Sequence, residues 1–261
     1  NPIMTVFKVD GIELTGQRAG KGPPILMLHG AGGPRSILAA GERLSKSFDV
    51  IRPTHPGFAD CAEVERIDTV DDLAYLYLDL LDDLKLSNVT VMGFSLGGWI
   101  TAEMAVKSTA RISKLVLADA VGIKVGDRET RDIADIYAVT DKTLAELVYA
   151  DPARMAVDTK TLPQEELVFV ARSRESTGRY AWSPYMHDPK LKGRLHRIDK
   201  PTLVLWGERD TALLPGCLDG LDACVPDLRL VRFPEASHWI VHEQLQDVCR
   251  EIESFLTGTT A

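Results

Sequence analysis

A serine at a sharp turn is the residue of this sequence best suited to nucleophilic chemistry. Strand-type residues end in Gly93-Phe94-Ser95-Leu96-Gly97, and a helical pattern follows, so Ser95 is predicted on a strand-to-helix turn. Glycines flank the serine because such a turn brings neighbouring backbone too close for a side chain. The pattern is typical of a nucleophile elbow, which needs a base, an acid and an oxyanion site beside it.

Three further groups suited to serine chemistry follow predicted strands elsewhere in the chain. A glycine-rich run, residues 29–33, follows one buried strand, and Asp210 and His238 follow two later ones. Because the carboxyl ends of parallel strands meet at one edge of a sheet, we expect Ser95, Asp210 and His238 to converge. In that arrangement Ser95 is the nucleophile, His238 its base, and Asp210 the acid that orients the base.

Together these segments resemble the α/β-hydrolase family, over residues 7–256. The likeness rests on the serine turn, the glycine-rich loop and the order Ser, Asp, His along the chain, which differs from that of other serine-triad folds. It implies an α/β-hydrolase fold, in which a mostly parallel sheet is flanked by helices and carries an inserted helical cap. It also implies an oxyanion hole formed by the backbone amides of Ala31 and Leu96, aimed by the helix that begins near Leu96.

The acid has competitors in the sequence. Asp119 also ends a predicted strand, and Glu208 lies two residues before Asp210. We expect Asp210 to be the acid, because it follows the strand end Trp206-Gly207 that the family uses. Replacing Asp119 should then do less harm than replacing Asp210.

One region between two predicted strands is much longer than a crossover requires. It holds about eighty residues, where a crossover needs about a dozen or two. We therefore predict a hydrolase core formed by residues 1–120 and 200–261, and a helical cap, or lid, at residues 121–199. A cap of this kind excludes water and selects substrates. Three of its segments are charged and prone to helix: 128–137, 141–149 and 162–176.

The composition argues against several classes of partner. The chain has 261 residues, of which 45% are hydrophobic and 26% charged, and its net charge is −8. This acidic balance argues against nucleic acid and against an anionic membrane surface as partners, and no apolar stretch has the length of a membrane span. We expect a small-molecule substrate and no membrane, with a monomer and a homodimer both left open.

The cysteines indicate a reducing compartment. Cys61, Cys217, Cys224 and Cys249 have none of the spacings of a metal or redox motif, and a chain of this length does not need disulfides to fold. The first residues lack the pattern of a signal peptide. We therefore predict a cytoplasmic protein with reduced thiols, no metal and no cofactor.

Five residues are candidates for the substrate pocket: His29, Phe94, Arg172, Arg174 and Trp239. His29 precedes the glycine-rich loop, and we expect it to brace that loop rather than to touch substrate. Phe94 and Trp239 neighbour the nucleophile and the base in sequence. The two arginines lie in the predicted cap.

The favoured function is a serine hydrolase that cleaves a small carboxylic ester through an acyl-enzyme at Ser95. Serine at this position argues against dehalogenases and epoxide hydrolases of the family, which attack with a carboxylate. A ligand receptor on a hydrolase scaffold is one alternative, and it predicts slow turnover and a cap surface built for a partner protein. A cofactor-free oxygenase or a perhydrolase that uses the same triad also remains open.

The main alternative enzyme is a hydrolase of carbon–carbon bonds in vinylogous diketones. The pair His238-Trp239 resembles that group, and Arg172 or Arg174 could hold a substrate carboxylate. Against this alternative, the residues on either side of Ser95 are not the elbow residues of that group. The ester hydrolase is therefore the favoured hypothesis.

Overall fold

The structure, a computed structural model, describes residues 4–124, 126, 129, 132–155, 158–213 and 215–258. The strands within these residues are β1 (Met4–Val9), β2 (Ile12–Ala19), β3 (Pro24–Leu28), β4 (Asp49–Pro53), β5 (Val89–Phe94), β6 (Ile112–Ala118), β7 (Thr202–Gly207) and β8 (Leu228–Phe233). They form one sheet in the order β1-β2-β4-β3-β5-β6-β7-β8.

The sheet is antiparallel at one end and parallel over the rest. Strands β1 and β2 form a hairpin, and β2 also pairs antiparallel with β4. The hairpin turns at Asp10 and Gly11, both of which have positive φ, as an Asp-Gly turn favours. All pairs from β4 to β8 are parallel, so the carboxyl ends of these strands share one edge.

Helices cover both faces of the sheet. They are α1 (Leu38–Leu44), α2 (Val70–Asp83), α3 (Leu96–Lys107), α4 (Asp141–Val148), α5 (Pro152–Met155), α6 (Gln164–Ala181), α7 (Pro215–Cys224), α8 (Ile240–Glu243) and α9 (Leu245–Thr257). Helices α2, α3 and α7 pack on one face, and α1, α8 and α9 pack on the other. Strands β5 and β7 are buried along their whole length, which explains their nearly continuous apolar sequences. Among the described residues, no helix is both long and apolar enough to cross a membrane.

These layers confirm the predicted α/β fold with its mostly parallel sheet. Residues 121–199 lie between β6 and β7, and they include α4, α5 and α6. They contact loops at the carboxyl edge of the sheet: Ser176 Oγ donates to the carbonyl of Gly57 at 2.8 Å, and Thr211 Oγ1 donates to the carbonyl of Leu147 at 3.0 Å. The division into a core and a cap remains a prediction.

Two of the three helices predicted in residues 121–199 are observed, as α4 and α6. The third, at 128–137, is wrong over 132–137, and residues 128, 130 and 131 lie outside the described part of the chain. The Ala134 amide donates instead to the carbonyl of Ala212 at 2.8 Å, and the Ala134 carbonyl accepts the Tyr185 hydroxyl at 2.9 Å. These long-range bonds replace the bonds that a helix would make.

Candidate active site

Ser95 lies on a strained turn between β5 and α3. Its φ is 52° and its ψ is −110°, an unusual conformation for a residue other than glycine. A Cβ added at Gly93 would lie 2.0 Å from the carbonyl oxygen of Gly97, and a Cβ at Gly97 would lie 2.1 Å from that of Leu28. The flanking glycines are therefore required by close backbone approach, as the sequence pattern predicts.

Ser95, His238 and Asp210 form a hydrogen-bonded chain. His238 Nε2 lies 2.8 Å from Ser95 Oγ, and His238 Nδ1 lies 2.7 Å from Asp210 Oδ2. An ionised Asp210 can only accept, so Nδ1 carries the proton and Nε2 is free to accept from the serine hydroxyl. All three residues are buried, with at most 7% of each exposed, so the hydrogen-bonded chain is largely protected from water.

The Asp210 carboxylate is held in place by its own backbone turn. Its Oδ1 accepts the amide of Ala212 at 2.8 Å and that of Leu213 at 3.1 Å. With His238 on Oδ2, this carboxylate has three donors. The two backbone donors fix Oδ1 and leave Oδ2 aimed at the imidazole.

The glycine-rich loop packs directly against the serine turn. Its residues 30–33 form a turn in which the Gly33 amide donates to the carbonyl of Gly30 at 3.1 Å, so Ala31 is a central residue of the turn and its amide lies outside that bond. A Cβ on Gly30 would lie 3.1 Å from the carbonyl oxygen of Phe94. Leu96 is the first residue of α3, and its amide belongs to the four that have no partner within the helix. The two predicted oxyanion donors thus come from adjoining segments.

His29 braces this loop and is sequestered from solvent. The ring is fully buried, Nε2 accepts the His55 amide at 2.9 Å, and Nδ1 therefore donates to the Gly30 carbonyl at 2.7 Å. Burial, followed by the neighbouring His55 ring, lowers the pKa of His29 well below its usual value. Both ring nitrogens of His29 are bonded to backbone groups, and these contacts match its expected bracing role. Its place in the substrate pocket stays a prediction without support from these contacts.

His55 and Tyr77 complete the brace behind His29. His55 Nε2 donates to the carbonyl of His29 at 2.8 Å, so His55 Nδ1 accepts the Tyr77 hydroxyl. Burial lowers the pKa of His55 to about 4 and raises that of Tyr77 well above its usual value. The three side chains are therefore neutral and hydrogen-bonded at neutral pH.

Phe94 and Trp239 form an aromatic wall beside the base. The Phe94 ring lies 5.4 Å from the ring of His238 and 5.6 Å from that of Trp239. A Cβ on Gly32 would lie 2.8 Å from the Trp239 ring, so the indole also covers the glycine-rich loop. Both aromatic pocket candidates are thus placed next to the triad.

The two arginines are bonded elsewhere. Arg172 donates to the carbonyls of Ala59 and Cys61, and Arg174 donates to the carbonyl of Ile136 at 3.1 Å. These contacts join α6 to neighbouring loops. No described contact brings either guanidinium to Ser95, so their role in binding a substrate carboxylate stays a prediction without support from these contacts.

Glu243 is a structural link that our sequence analysis missed. Its Oε1 accepts the Ser237 amide at 3.1 Å, and its Oε2 accepts the amides of Ala150 and Asp151 at 2.9 and 3.3 Å. It therefore ties the residue before His238 to residues 121–199. The contact joins positions 93 residues apart, and no local pattern in the sequence signals it.

Asp119, the competitor for the acid, lies beside the triad without bonding to the base. One oxygen of Asp119, one of Asp210 and a ring nitrogen of His238 all lie within 4.8 Å of one another. His238 Nδ1 donates its hydrogen bond to Asp210. The acid chosen from the strand-end pattern is thus the one that contacts the imidazole.

A buried hydroxyl, imidazole and carboxylate at the carboxyl edge of a mostly parallel sheet define the class of site. Residues 25–251 match the family model described as the alpha/beta hydrolase family, and the chain belongs to this family.

The chain is similar to an esterase and to a heptadienoate hydrolase. It is 25% identical over 245 residues to a pimeloyl-[acyl-carrier protein] methyl ester esterase of Nitrosomonas europaea, covering 85% of this chain and 91% of the relative. It is also 25% identical over 268 residues to a 2-hydroxy-6-oxo-2,4-heptadienoate hydrolase of Pseudomonas putida, covering 95% and 94%. The comparisons support a hydrolase, and these two relatives are an esterase and a heptadienoate hydrolase.

Solved structures repeat this division. An esterase from Exiguobacterium antarcticum superposes with a TM-score of 0.78 at 20% identity, covering 98% of this chain and all of that one. A meta-cleavage product hydrolase from Pseudomonas fluorescens superposes with a TM-score of 0.78 at 18% identity, covering 97% of each chain. At these identities the likeness establishes the fold alone.

Proposed function

We propose that the protein is a serine hydrolase that cleaves small carboxylic esters through an acyl-enzyme at Ser95. The observation that carries the proposal is the hydrogen-bonded chain from Ser95 Oγ through His238 to Asp210. A free serine hydroxyl is a weak nucleophile at neutral pH, and this chain supplies the base that activates it.

The first half of the reaction forms the acyl-enzyme. Ser95 Oγ attacks the ester carbonyl carbon while its proton moves to His238 Nε2, and Asp210 stabilises the imidazolium that results. The carbonyl oxygen becomes an oxyanion, which the amides of Ala31 and Leu96 bind. In comparable sites one such donor lowers the barrier by about 2.7–4 kcal/mol. The imidazolium then gives its proton to the departing alcohol.

The second half releases the acid. Water replaces the alcohol, His238 takes a proton from it, and the resulting hydroxide attacks the acyl carbon. The second tetrahedral intermediate expels Ser95 Oγ, which regains its proton from His238. The products are a carboxylic acid and an alcohol, and the protein returns to its starting state.

A carbon–carbon hydrolase is the second candidate. The similarity to the Pseudomonas putida hydrolase and the pair His238-Trp239 favour it. The ester hypothesis is preferred because Arg172 and Arg174 donate to backbone carbonyls instead of facing the site. The wall beside His238 is formed by the uncharged rings of Phe94 and Trp239. Replacing either arginine by Met should change kcat/KM for neutral esters little. A selective rise in KM for a carboxylated diketone would instead support the second candidate.

The proposed setting is the cytoplasm, with a small molecule as substrate. Cys61, Cys217, Cys224 and Cys249 are all free thiols, which is the usual state in a reducing compartment.

The test of the proposal combines substrates with a covalent probe. Wild-type protein should hydrolyse p-nitrophenyl esters of short acyl chains faster than lactones or a diketone dienoate, and a fluorophosphonate should label Ser95. Ser95→Ala should fold, resist labelling and lose at least about a thousandfold in kcat. Ser47→Ala, at an exposed serine, is the matched control. Full turnover by Ser95→Ala, or label on another residue, would contradict the mechanism.

A further inference from the structure

Asp119 lies between the turn at Ser95 and the loop that carries Asp210. It follows β6 with a φ of 42°, and its amide donates to the carbonyl of Leu205 at 3.0 Å. The residue before it, Ala118, accepts the Ser95 amide at 2.9 Å. The carboxyl group is thus fixed at the same edge of the sheet as the triad.

The Asp119 carboxyl group is buried and only half satisfied. The residue is 0% exposed, and its Oδ1 accepts the Gly207 amide at 3.0 Å. Its Oδ2 is buried without a hydrogen-bond partner. A buried polar atom without a partner is rare, and it is unfavourable, the more so when the group is charged.

The neighbouring carboxylate decides which group carries the proton. Asp210 has three donors, whereas Asp119 has one. Two carboxylates this close in a buried site do not both ionise readily. Burial, then the charges of Asp210 and Glu243, raises the pKa of Asp119 well above its usual value. The negative charge therefore belongs to Asp210 and the proton to Asp119.

We propose that Asp119 is a positioning residue that stays protonated beside the Asp210 carboxylate, and that it takes over the negative charge behind His238 when Asp210 is removed. This inference rests on the proposed function. The two carboxyl groups then hold one negative charge between them. His238 keeps a negatively charged neighbour whether Asp210 is present or has been replaced.

A double-mutant cycle tests the pair. Asp119→Asn should lower kcat/KM by about threefold, since an amide is a neutral replacement for a neutral acid, and Asp210→Ala by about a hundredfold. The double variant should lose about ten-thousandfold, the loss expected when no acid remains. Effects that multiply without coupling would overturn the proposal, because a purely structural role gives the same factor in both backgrounds.

The pH profile separates a charge from a packing effect. The ratio of kcat/KM for Asp210→Ala to kcat/KM for the double variant should rise with pH, because Asp119 then loses its proton and supplies the negative charge. The groups facing Asp119 are Asp210, His238 and Glu243, of which Asp210 is absent in both variants. A ratio that is constant with pH would overturn the proposal. An Asp210→Asn variant should be less active than Asp210→Ala, because its amide favours the wrong imidazole tautomer.

Two readouts do not depend on ester turnover. The rate at which a fluorophosphonate labels Ser95 should follow the same cycle, so a failure of the ester hypothesis leaves the test intact. Infrared spectra of the wild type at neutral pH should show a protonated carboxyl band that Asp119→Asn removes. Glu103, whose pKa is raised to about 7 chiefly by burial, is the matched control, and its Glu103→Gln variant should keep the Asp119 band. If Asp119→Asn fails to fold, the band is sought in Glu103→Gln, and its absence there overturns the proposal.

Discussion

Two groups of histidines at the same sheet edge have opposite chemical surroundings. His29 and His55 are bonded to backbone groups and to the neutral hydroxyl of Tyr77. His238 lies between the carboxylate of Asp210 and the hydroxyl of Ser95. Both groups are buried, so burial alone does not distinguish a base from a brace.

The difference lies in what happens when the ring gains a proton. In the His29 and His55 pair, each ring already donates at one nitrogen and accepts at the other, so a second proton would break the accepting bond. Among the described residues, no carboxylate is hydrogen-bonded to either ring. In the proposed mechanism His238 takes a proton from Ser95, and Asp210 compensates the positive charge. The partner groups therefore determine which imidazole can act as a base.

Replacing the base should have the largest effect. His238→Gln should keep the fold and lose at least about ten-thousandfold in kcat, because it removes the imidazole nitrogen that is hydrogen-bonded to Ser95 Oγ. His196→Gln, at an exposed histidine, is the control and should retain its kcat. Ester hydrolysis and thermal unfolding measure the two properties separately. Comparable kcat for the two variants would remove the distinction between the histidines.

Acid should destabilise the protein through the brace. The pKa of His55 is lowered to about 4 from an ordinary value of 6.5, so the unfolded state binds more protons between these values. The stabilisation is complete above pH 6.5 and is lost as pH falls toward 4, by as much as about 3 kcal/mol from this residue. Urea unfolding at a series of pH values measures the loss. His55→Asn should show a shallower decline, and an unchanged decline would contradict the assignment.

The smallest effect should come from the phenol behind the brace. Tyr77→Phe removes the donor to His55 Nδ1 and leaves that buried nitrogen without a partner, which lowers the free energy of unfolding by about 1–2 kcal/mol. Tyr75→Phe, at an exposed tyrosine on the same helix, should change it by less than about 0.5 kcal/mol. Equal stabilities for the two variants, measured by urea unfolding, would show that the Tyr77 hydroxyl does not support His55.

The sequence was sufficient for features that local patterns determine. Alternating strands and helices indicate a parallel sheet, and a parallel sheet brings strand ends together, so the positions of Ser95, Asp210 and His238 could be predicted. The need for glycine at positions 93 and 97 could also be predicted, because the serine turn brings neighbouring backbone too close for a side chain. These inferences needed no knowledge of how distant side chains pack.

Features that depend on distant packing were missed or mistaken. The bonds of Glu243 to residues 150 and 151, and the unpaired oxygen of Asp119, arise only after the chain has folded. The helix predicted at 128–137 is wrong over 132–137, because Ala134 is hydrogen-bonded to the Ala212 carbonyl and the Tyr185 hydroxyl instead of to helical neighbours. Long-range partners override local propensity at such positions.

Three main-chain hydrogen bonds hold the turn at residue 95. The Ser95 amide donates to the carbonyl of Ala118, and the Ser95 carbonyl accepts the amides of Trp99 and Val121 at 3.1 and 3.3 Å. None of these bonds uses the hydroxyl, so the scaffold and the reactive atom are independent of each other. We therefore expect a Ser95→Cys variant to keep this backbone and to present its thiol to His238 from the same turn.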